Sequence, residues 1–386
     1  MAEAGFGIYI HWPYCQAKCP YCDFNSHVAD EIDQRQWARA YVAELERYHS
    51  EIPQLRVDTV FFGGGTPSLM DPRLIDTILL CIAENWGFSR DAEITLEANP
   101  TSVEAGRFGE YAGSGINRVS LGIQSLDDKH LRQLGRLHSA REALAAIEIA
   151  QARFARVSID LIYARQEQSL ADWQAELSRA LALGTEHLSL YQLTIEPGTA
   201  FGRRHAAGRL PGLPGSDLAA DMFELTQEMC DSAGRPGYEI SNHAAPGAES
   251  RHNLIYWRGG SWLGIGPGAH GRLEVGGARL ATDTPLAPGD WLKAALGGNG
   301  EASREPLSPR ERAFEYLMMG LRLHEGVDLS RLSAIDNGLI NPNEINNLSD
   351  LGLIETDSRG LRATPRGRLL LNRIIATLVS DTDTAS

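Results

Sequence analysis

Six short runs rich in β-branched and apolar residues punctuate the first half of the chain: GIYIHW (7–12), VDTVFF (57–62), AEITLEA (92–98), INRVSLGI (116–123), ARVSIDLIY (155–163) and EHLSLYQLTI (186–195). Amphipathic stretches separate them. In QRQWARAYVAELERYH, Trp37, Tyr41, Leu45 and Tyr48 recur at the spacing of one helix face. SAREALAAIEIAQA opens on Ser139 and Glu142 in capping-box register, and SLADWQAELSRALALG opens on Ser169 and Asp172 and closes at Gly184. Strands joined through helices pair in parallel with right-handed crossovers. The expected fold is α/β, either a doubly wound sheet or a barrel, full or partial.

Beyond this array the pattern changes. Residues 196–215, EPGTAFGRRHAAGRLPGLPG, read as a long surface loop, and 237–300 as a Gly-rich connection. SPRERAFEYLMMGLRL predicts a helix over about 308–323. The stretch LGLIETDSRGLRATPRGRLLLNRII then reads as strand, tight turn, strand and helix, which resembles a winged-helix module, and the polar SDTDTAS tail is expected to be disordered.

A net charge of -14 disfavours nucleic acid as a partner, because phosphate binding needs a basic footprint. No apolar run approaches the ~18 residues that would span a bilayer. The N-terminus MAEAGFGIYIHWP has no basic region followed by an apolar one, so no secretory signal is read there and the cytoplasm is expected. In a reducing compartment, clustered cysteines point to metal or redox chemistry. Of the five cysteines, Cys15, Cys19 and Cys22 lie in YCQAKCPYC, while Cys81 and Cys230 sit in apolar helical patterns and are expected to be buried and inert. The Cys-x3-Cys-x2-Cys spacing lacks the second knuckle of a common zinc site. Three thiolates can hold three irons of a cubane [4Fe–4S] cluster and leave the fourth iron open, or can be completed by His11 or His27 into a zinc tetrahedron.

Other polar groups fall at strand ends. FFGGGTPS (61–68) closes the second run with three glycines, which is either a tight βα turn or a place where backbone approaches a ligand. Glu97 in TLEANP, Gln124 after the fourth run, Arg136 one helix later and Asp160 inside SIDLIY each have ordinary structural readings. Their common location at the carboxyl ends of parallel strands favours one shared pocket, and a buried Asp160 requires a partner.

The cysteine spacing directly after a first strand, with the aromatic Tyr21 before the last cysteine, resembles the signature of radical S-adenosylmethionine (SAM) proteins. In that family the open iron chelates SAM, and cluster reduction yields a 5′-deoxyadenosyl radical. HWPYCQAKCPYCDFNS, FFGGGTPS, LEANP, SLGIQSLDD…LGRLH and LSLYQLTIEPGT are similar, over about residues 7–370, to the oxygen-independent coproporphyrinogen III oxidase branch. The resemblance implies a partial (β/α)6 TIM-like barrel over 1–235, a connecting region over 236–300 and a C-terminal winged-helix-like α+β domain over 301–386. It also implies SAM contacts at Tyr9, Tyr21, Gly64, Gly65, Thr66, Glu97, Gln124, Arg136 and Asp160, with looser matches at Thr194 and His270.

One departure stands beside the pocket: where the branch usually continues DLIY with Gly-Leu-Pro-Gly, this chain has Ala164, Arg165, Gln166 and Glu167. Within the branch, the oxidases carry a further cysteine where this chain has Phe24. RHNLIYWRGGSWLGIGPGAHG instead carries the His-Asn-x-x-Tyr-Trp motif of the branch's heme chaperones, at His252, Asn253, Tyr256 and Trp257. Imidazole is a common heme ligand, and flat aromatics suit a porphyrin. The implied reading is a heme chaperone that passes heme to apo-hemoproteins of respiration, with transient membrane proximity and as a monomer or a dimer. The alternative is oxidative decarboxylation of coproporphyrinogen III in porphyrin biosynthesis.

Overall fold

A computed structural model describes residues 4–29, 31–358 and 360–379; the SDTDTAS tail lies outside the described residues. Eleven strands form one sheet: β1 (Phe6–Trp12), β2 (Val57–Gly64), β3 (Phe88–Ala98), β4 (Arg118–Gln124), β5 (Arg156–Tyr163), β6 (His187–Gln192), β7 (Asn242–Ala244), β8 (Ser261–Ile265), β9 (His270–Val275), β10 (Ala278–Asp283) and β11 (Ser303–Pro306). Their order is β11-β10-β9-β8-β1-β2-β3-β4-β5-β6-β7. β1 to β6 pair in parallel with sequential neighbours, as the βα alternation requires. The architecture is a partial (β/α)6 barrel.

Local chemistry explains the connections. The helix Gln34–Glu51 buries Trp37, Tyr41, Leu45 and Tyr48 on its inner face. Ser139 and Glu142 make a reciprocal capping box at the helix Ala140–Arg153, and Ser169 and Asp172 do so at Leu170–Leu181. Along β4 and β5 the side chains alternate. Val119, Leu121, Ile123, Val157, Ile159 and Leu161 face the helices in the main apolar core. Arg118, Ser120, Ser158 and Asp160 occupy the alternate positions, which face the lumen. Cys81 and Cys230 are buried, and burial pushes their thiols up to about 11 and about 12.

Two expectations need correction. Residues 237–300 are not simply a connection: β8 pairs in parallel with β1, β9 and β10 continue the sheet antiparallel, and β11, just beyond this stretch, closes that edge. Two of the glycines that suggested a loop sit where strands pass closely: a Cβ on Gly264 would meet the His270 carbonyl oxygen at 2.2 Å, and one on Gly271 the Thr282 hydroxyl at 2.5 Å. The stretch 196–215 contains the helix Ala200–Ala206, N-capped by Thr199, whose hydroxyl accepts from the Gly202 amide at 2.9 Å.

The C-terminal part packs around its own apolar core, with Leu317, Leu348, Leu361 and Leu378 among its members. β12 (Ile354–Asp357) and β13 (Gly360–Ala363) form its antiparallel hairpin, followed by the helices Pro365–Arg368 and Leu371–Leu378. Ion pairs Arg272–Glu315 at 2.7 Å and Arg258–Glu325 at 2.7 Å tie it to the barrel. Among the described residues no helix is long and apolar enough to cross a membrane.

Candidate functional site: a thiol-rimmed cleft at the barrel mouth

The cysteine turn is a pinned loop. Its base closes through Cys15 N to His27 O at 2.8 Å and His27 N to Pro13 O at 2.7 Å. The Asn25 amide nitrogen donates to the Pro267 and Leu286 carbonyls at 2.9 and 2.8 Å, and the Phe201 amide donates to Pro20 O at 2.8 Å. The helix missed in the sequence thus steadies this turn, with Phe201 6.4 Å from the Tyr21 ring. Gly135 is required opposite: it has φ +69°, and a Cβ there would strike the Pro20 ring at 2.7 Å.

Cys15, Cys19 and Cys22 line one wall of a cleft of about 460 Å3. Tyr21, Gly64, Gly65, Thr66, Glu97, Gln124, Arg136, Asp160 and Thr194 line the rest, so the strand-end residues do converge. Tyr9 is not among them. The register sets it beside Phe61, which pairs with Thr95, one inward position below Glu97; its hydroxyl meets His11 Nδ1 at 3.1 Å. His270 lies in a separate cavity.

The donor set suits a cluster better than a single ion. Among the described residues, no three Cys, His, Asp or Glu side chains gather closely enough for one metal. A cubane does not require that, since each thiolate takes its own iron. The zinc alternative loses its extra ligands. His11 Nδ1 is bonded to Tyr9 and its Nε2 to Asn25 O at 2.9 Å, while His27 Nε2 engages Asn25 Oδ1 at 3.1 Å. Burial raises the Cys15 and Cys22 thiols, so metal must displace protons to bind. Thr66 Oγ1 donates to Cys15 Sγ at 3.3 Å, and an Arg136 nitrogen to Cys19 Sγ at 3.5 Å.

The glycine run is a steric requirement of the turn. A Cβ on Gly64 would meet the His11 ring at 2.5 Å, and one on Gly65 the Tyr14 carbonyl oxygen at 2.7 Å. The amides there are already used: Gly65 donates to Trp12 O, Thr66 to Tyr14 O, and Gly64 to Glu97 at 3.2 Å.

At the cleft base Glu97 and Asp160 face each other's charge. Burial, then the neighbouring Asp160, pushes Glu97 up to about 8, against the Gly64 amide and Arg118. Asp160 is also raised by burial, opposed by hydrogen bonds from Ser189 and Ser120. An acidic pair short of neutralising partners is suited to a cationic ligand. Arg136 supplies the opposite charge, and its Nε has no partner among the described residues.

Sequence reasoning missed Asn99, which joins Arg136 to Thr66 Oγ1, and Ser120, which donates to Asp160 at 3.0 Å. The polar alternation along RVSLGIQ was the available signal for Ser120.

The altered loop keeps its shape without its glycines. Ala164 and Glu167, at the two glycine positions of the branch, have φ +56° and +58°; with Gln124 at +67° they are the non-glycine residues of positive φ among those described. Arg165 holds this arrangement. Its guanidinium donates to Ile162 O at 2.7 Å and Gln124 O at 3.3 Å and forms a buried ion pair with Glu176.

The His-Asn-x-x-Tyr-Trp segment forms the helix Arg251–Trp257, and it lies at the opposite end of the barrel. His252 is buried beside Phe61, 5.1 Å ring to ring. Its Nδ1 meets Thr59 Oγ1 at 2.7 Å and its Nε2 the Tyr256 hydroxyl at 2.5 Å. Burial, with Arg118 nearby, pushes it down to about 3. Both ring nitrogens are occupied, so His252 offers no free nitrogen to a metal. Asn253 and Trp257 are half-buried on the same helix.

Cleft, thiol rim and parallel array together define a class. The radical SAM superfamily model matches residues 9–178, and the HemN C-terminal domain model matches 307–370. The chain is 35% identical over 379 residues to the heme chaperone HemW of Escherichia coli, covering 97% of this chain and 98% of that protein. It is 39% identical to the mitochondrial radical S-adenosyl methionine domain-containing protein 1 of Bos taurus, over 97% of this chain and 87% of that one. The crystal structure of the E. coli coproporphyrinogen III oxidase HemN, a radical SAM enzyme, shares the fold, with a TM-score of 0.80 at 22% identity over 97% of this chain and 90% of that one. The chain belongs to the radical SAM superfamily, in the family that includes HemW.

Proposed function

We propose that this protein is a cytoplasmic heme chaperone of the radical SAM class, which carries heme and passes it to apo-hemoproteins such as respiratory enzymes. Cys15, Cys19 and Cys22 hold a [4Fe–4S] cluster, and the remaining cleft walls hold SAM. When bound, the pair supplies one-electron chemistry. The chain's own residues would do the rest: Arg136, whose guanidinium donates to the Cys19 sulfur, would offer positive charge to a carboxylate of SAM, and Glu97 and Asp160 would receive its cationic groups.

The observation that favours chaperone over oxidase is Phe24. It stands 60% exposed on the cleft rim at the position where the oxidases of the branch carry a further thiol. Near-full-length similarity to HemW supports the same reading. The test uses anaerobically reconstituted protein in two assays. Transfer of bound heme to an apo-hemoprotein is expected, without vinyl product from coproporphyrinogen III; catalytic formation of that product overturns the chaperone reading.

A further inference from the structure

We propose that His270, not His252, is the heme ligand, in a second cavity whose surplus positive charge receives the propionates; this rests on the heme-chaperone reading above. The cavity, of about 240 Å3, lies between the helix Arg251–Trp257, β8 to β10, and the helices Pro309–Gly320 and Leu329–Ile335. Strand pairing builds one wall. Trp262 stands opposite Arg272, His270 opposite Asp283 and Glu274 opposite Arg279, which puts all six on one face of the sheet.

His270 has the chemistry that His252 lacks. Its side chain is 66% exposed, its Nδ1 is bonded to the Asp283 carboxylate, and its Nε2 has no partner among the described residues. Asp283 is itself held by Ser303 Oγ at 2.9 Å. A carboxylate on one ring nitrogen fixes the tautomer and leaves a lone pair on the other, which is the usual backing of a metal-bound histidine.

Charge and shape point to the same ligand. Arg272, Arg279, Arg312 and Arg331 outnumber the carboxylates Glu274, Glu315 and the His270-bound Asp283 by one, a surplus that favours the carboxylates of heme. Trp262 lies 4.7 Å from Tyr256, ring to ring, and the Arg272 and Arg279 guanidinium groups sit 5.8 and 5.9 Å from the Trp262 ring centre. Flat aromatic and guanidinium surfaces of this kind suit the face of a macrocycle. The cavity takes an edge of the porphyrin and leaves the rest outside, an arrangement from which cargo can be released. Tyr256 joins this wall to the His252 motif, so the motif helix shapes the site while its histidine stays in the floor.

Ferric heme titrated into the full-length protein and followed by its Soret band tests this. His270→Ala, a substitution at an exposed side chain, is expected to weaken binding at least tenfold and to abolish the imidazole-ligated spectrum, with added imidazole restoring it and iron–sulfur content unchanged. Heme dimethyl ester, lacking the carboxylates, is expected to bind the wild type more weakly than heme. If His270→Ala keeps wild-type affinity and spectrum, the assignment of His270 is overturned while the chaperone reading stands. If the wild type takes up no heme, the chaperone reading itself fails.

Discussion

The two ends of the barrel are built from similar polar residues and differ in whether their bonding capacity is used up. At the floor two chains of groups satisfy one another, Thr59, His252 and Tyr256 in one and Ser158, His187 and Tyr238 in the other, with contacts of 2.5 to 3.0 Å, although the Trp257 Nε1 on the same motif helix is buried without a partner among the described residues. At the mouth, three thiols and two carboxylates line the open cleft with bonding capacity left beyond the contacts from Thr66, Arg136, Gly64 and Ser120, and the Arg136 Nε is buried without a partner among the described residues. Saturated polar groups hold a structure together, and unsatisfied ones await a ligand. A histidine motif alone cannot tell these cases apart, because the difference lies in where the partners are.

The largest expected effect is at the thiol rim. Cys19→Ala is expected to reduce iron from about four per chain to near background and to bleach the anaerobic protein, with little change in fold. Retention of full iron would remove the mouth from consideration as a cluster site. Next comes the clamp beside it. Arg165→Met leaves Glu176 buried without its charge partner, a loss of about 3 kcal/mol in unfolding free energy, read by urea denaturation. Glu176 keeps bonds from Ser125 Oγ and the Leu126 amide at 2.6 and 2.7 Å, so the loss is expected at the lower end for a broken buried pair.

Titration separates the two ends by sign. His252 is held neutral down to about 3, well below its ordinary value. Above about pH 6.5 it adds no pH dependence; as pH falls from there, the unfolded chain takes a proton that the folded chain refuses, and stability drops by about 1.4 kcal/mol per pH unit. Glu97 behaves oppositely. Its pKa of about 8 means that the folded apoprotein keeps a proton the unfolded chain releases, so its contribution falls as pH rises from about 4.5 to about 8. Glu97→Gln is therefore expected to stabilise the apoprotein at pH 8 by roughly 1–2 kcal/mol, discounted for water in the cleft, and to have no such effect at pH 4. Equal effects at both values would show that this carboxyl is not perturbed.

Local features of both ends are legible in the amino-acid order alone. The capping serines, the aromatic stripe of the first helix and the polar groups at strand ends depend on near neighbours along the chain. The extension β8 to β11 is not legible in this way, because its pairing partner β1 lies roughly 250 residues away and Gly264 and Gly271 serve close strand contact. The bonding of His252 is hidden for the same reason: Thr59 is 193 positions distant. Asn99 stands within the LEANP run, and only the fold brings it to Arg136.

The smallest expected effect probes strain at the mouth. Ala164 sits at φ +56°, a conformation that costs an L-residue roughly 1–2 kcal/mol relative to its preferred region and costs glycine almost nothing. Restoring the glycine of the branch relieves that cost but gives back part of it through the greater freedom of the unfolded chain. Ala164→Gly is therefore expected to stabilise by about 0.5 kcal/mol, seen as a higher denaturant midpoint with an unchanged slope. In the Arg165→Met background the gain is expected to shrink, since the loop no longer has to hold the clamped shape. If Ala164→Gly destabilises in both backgrounds, the left-handed turn is not strained, and Arg165 is a packing element and not a clamp on the cleft wall.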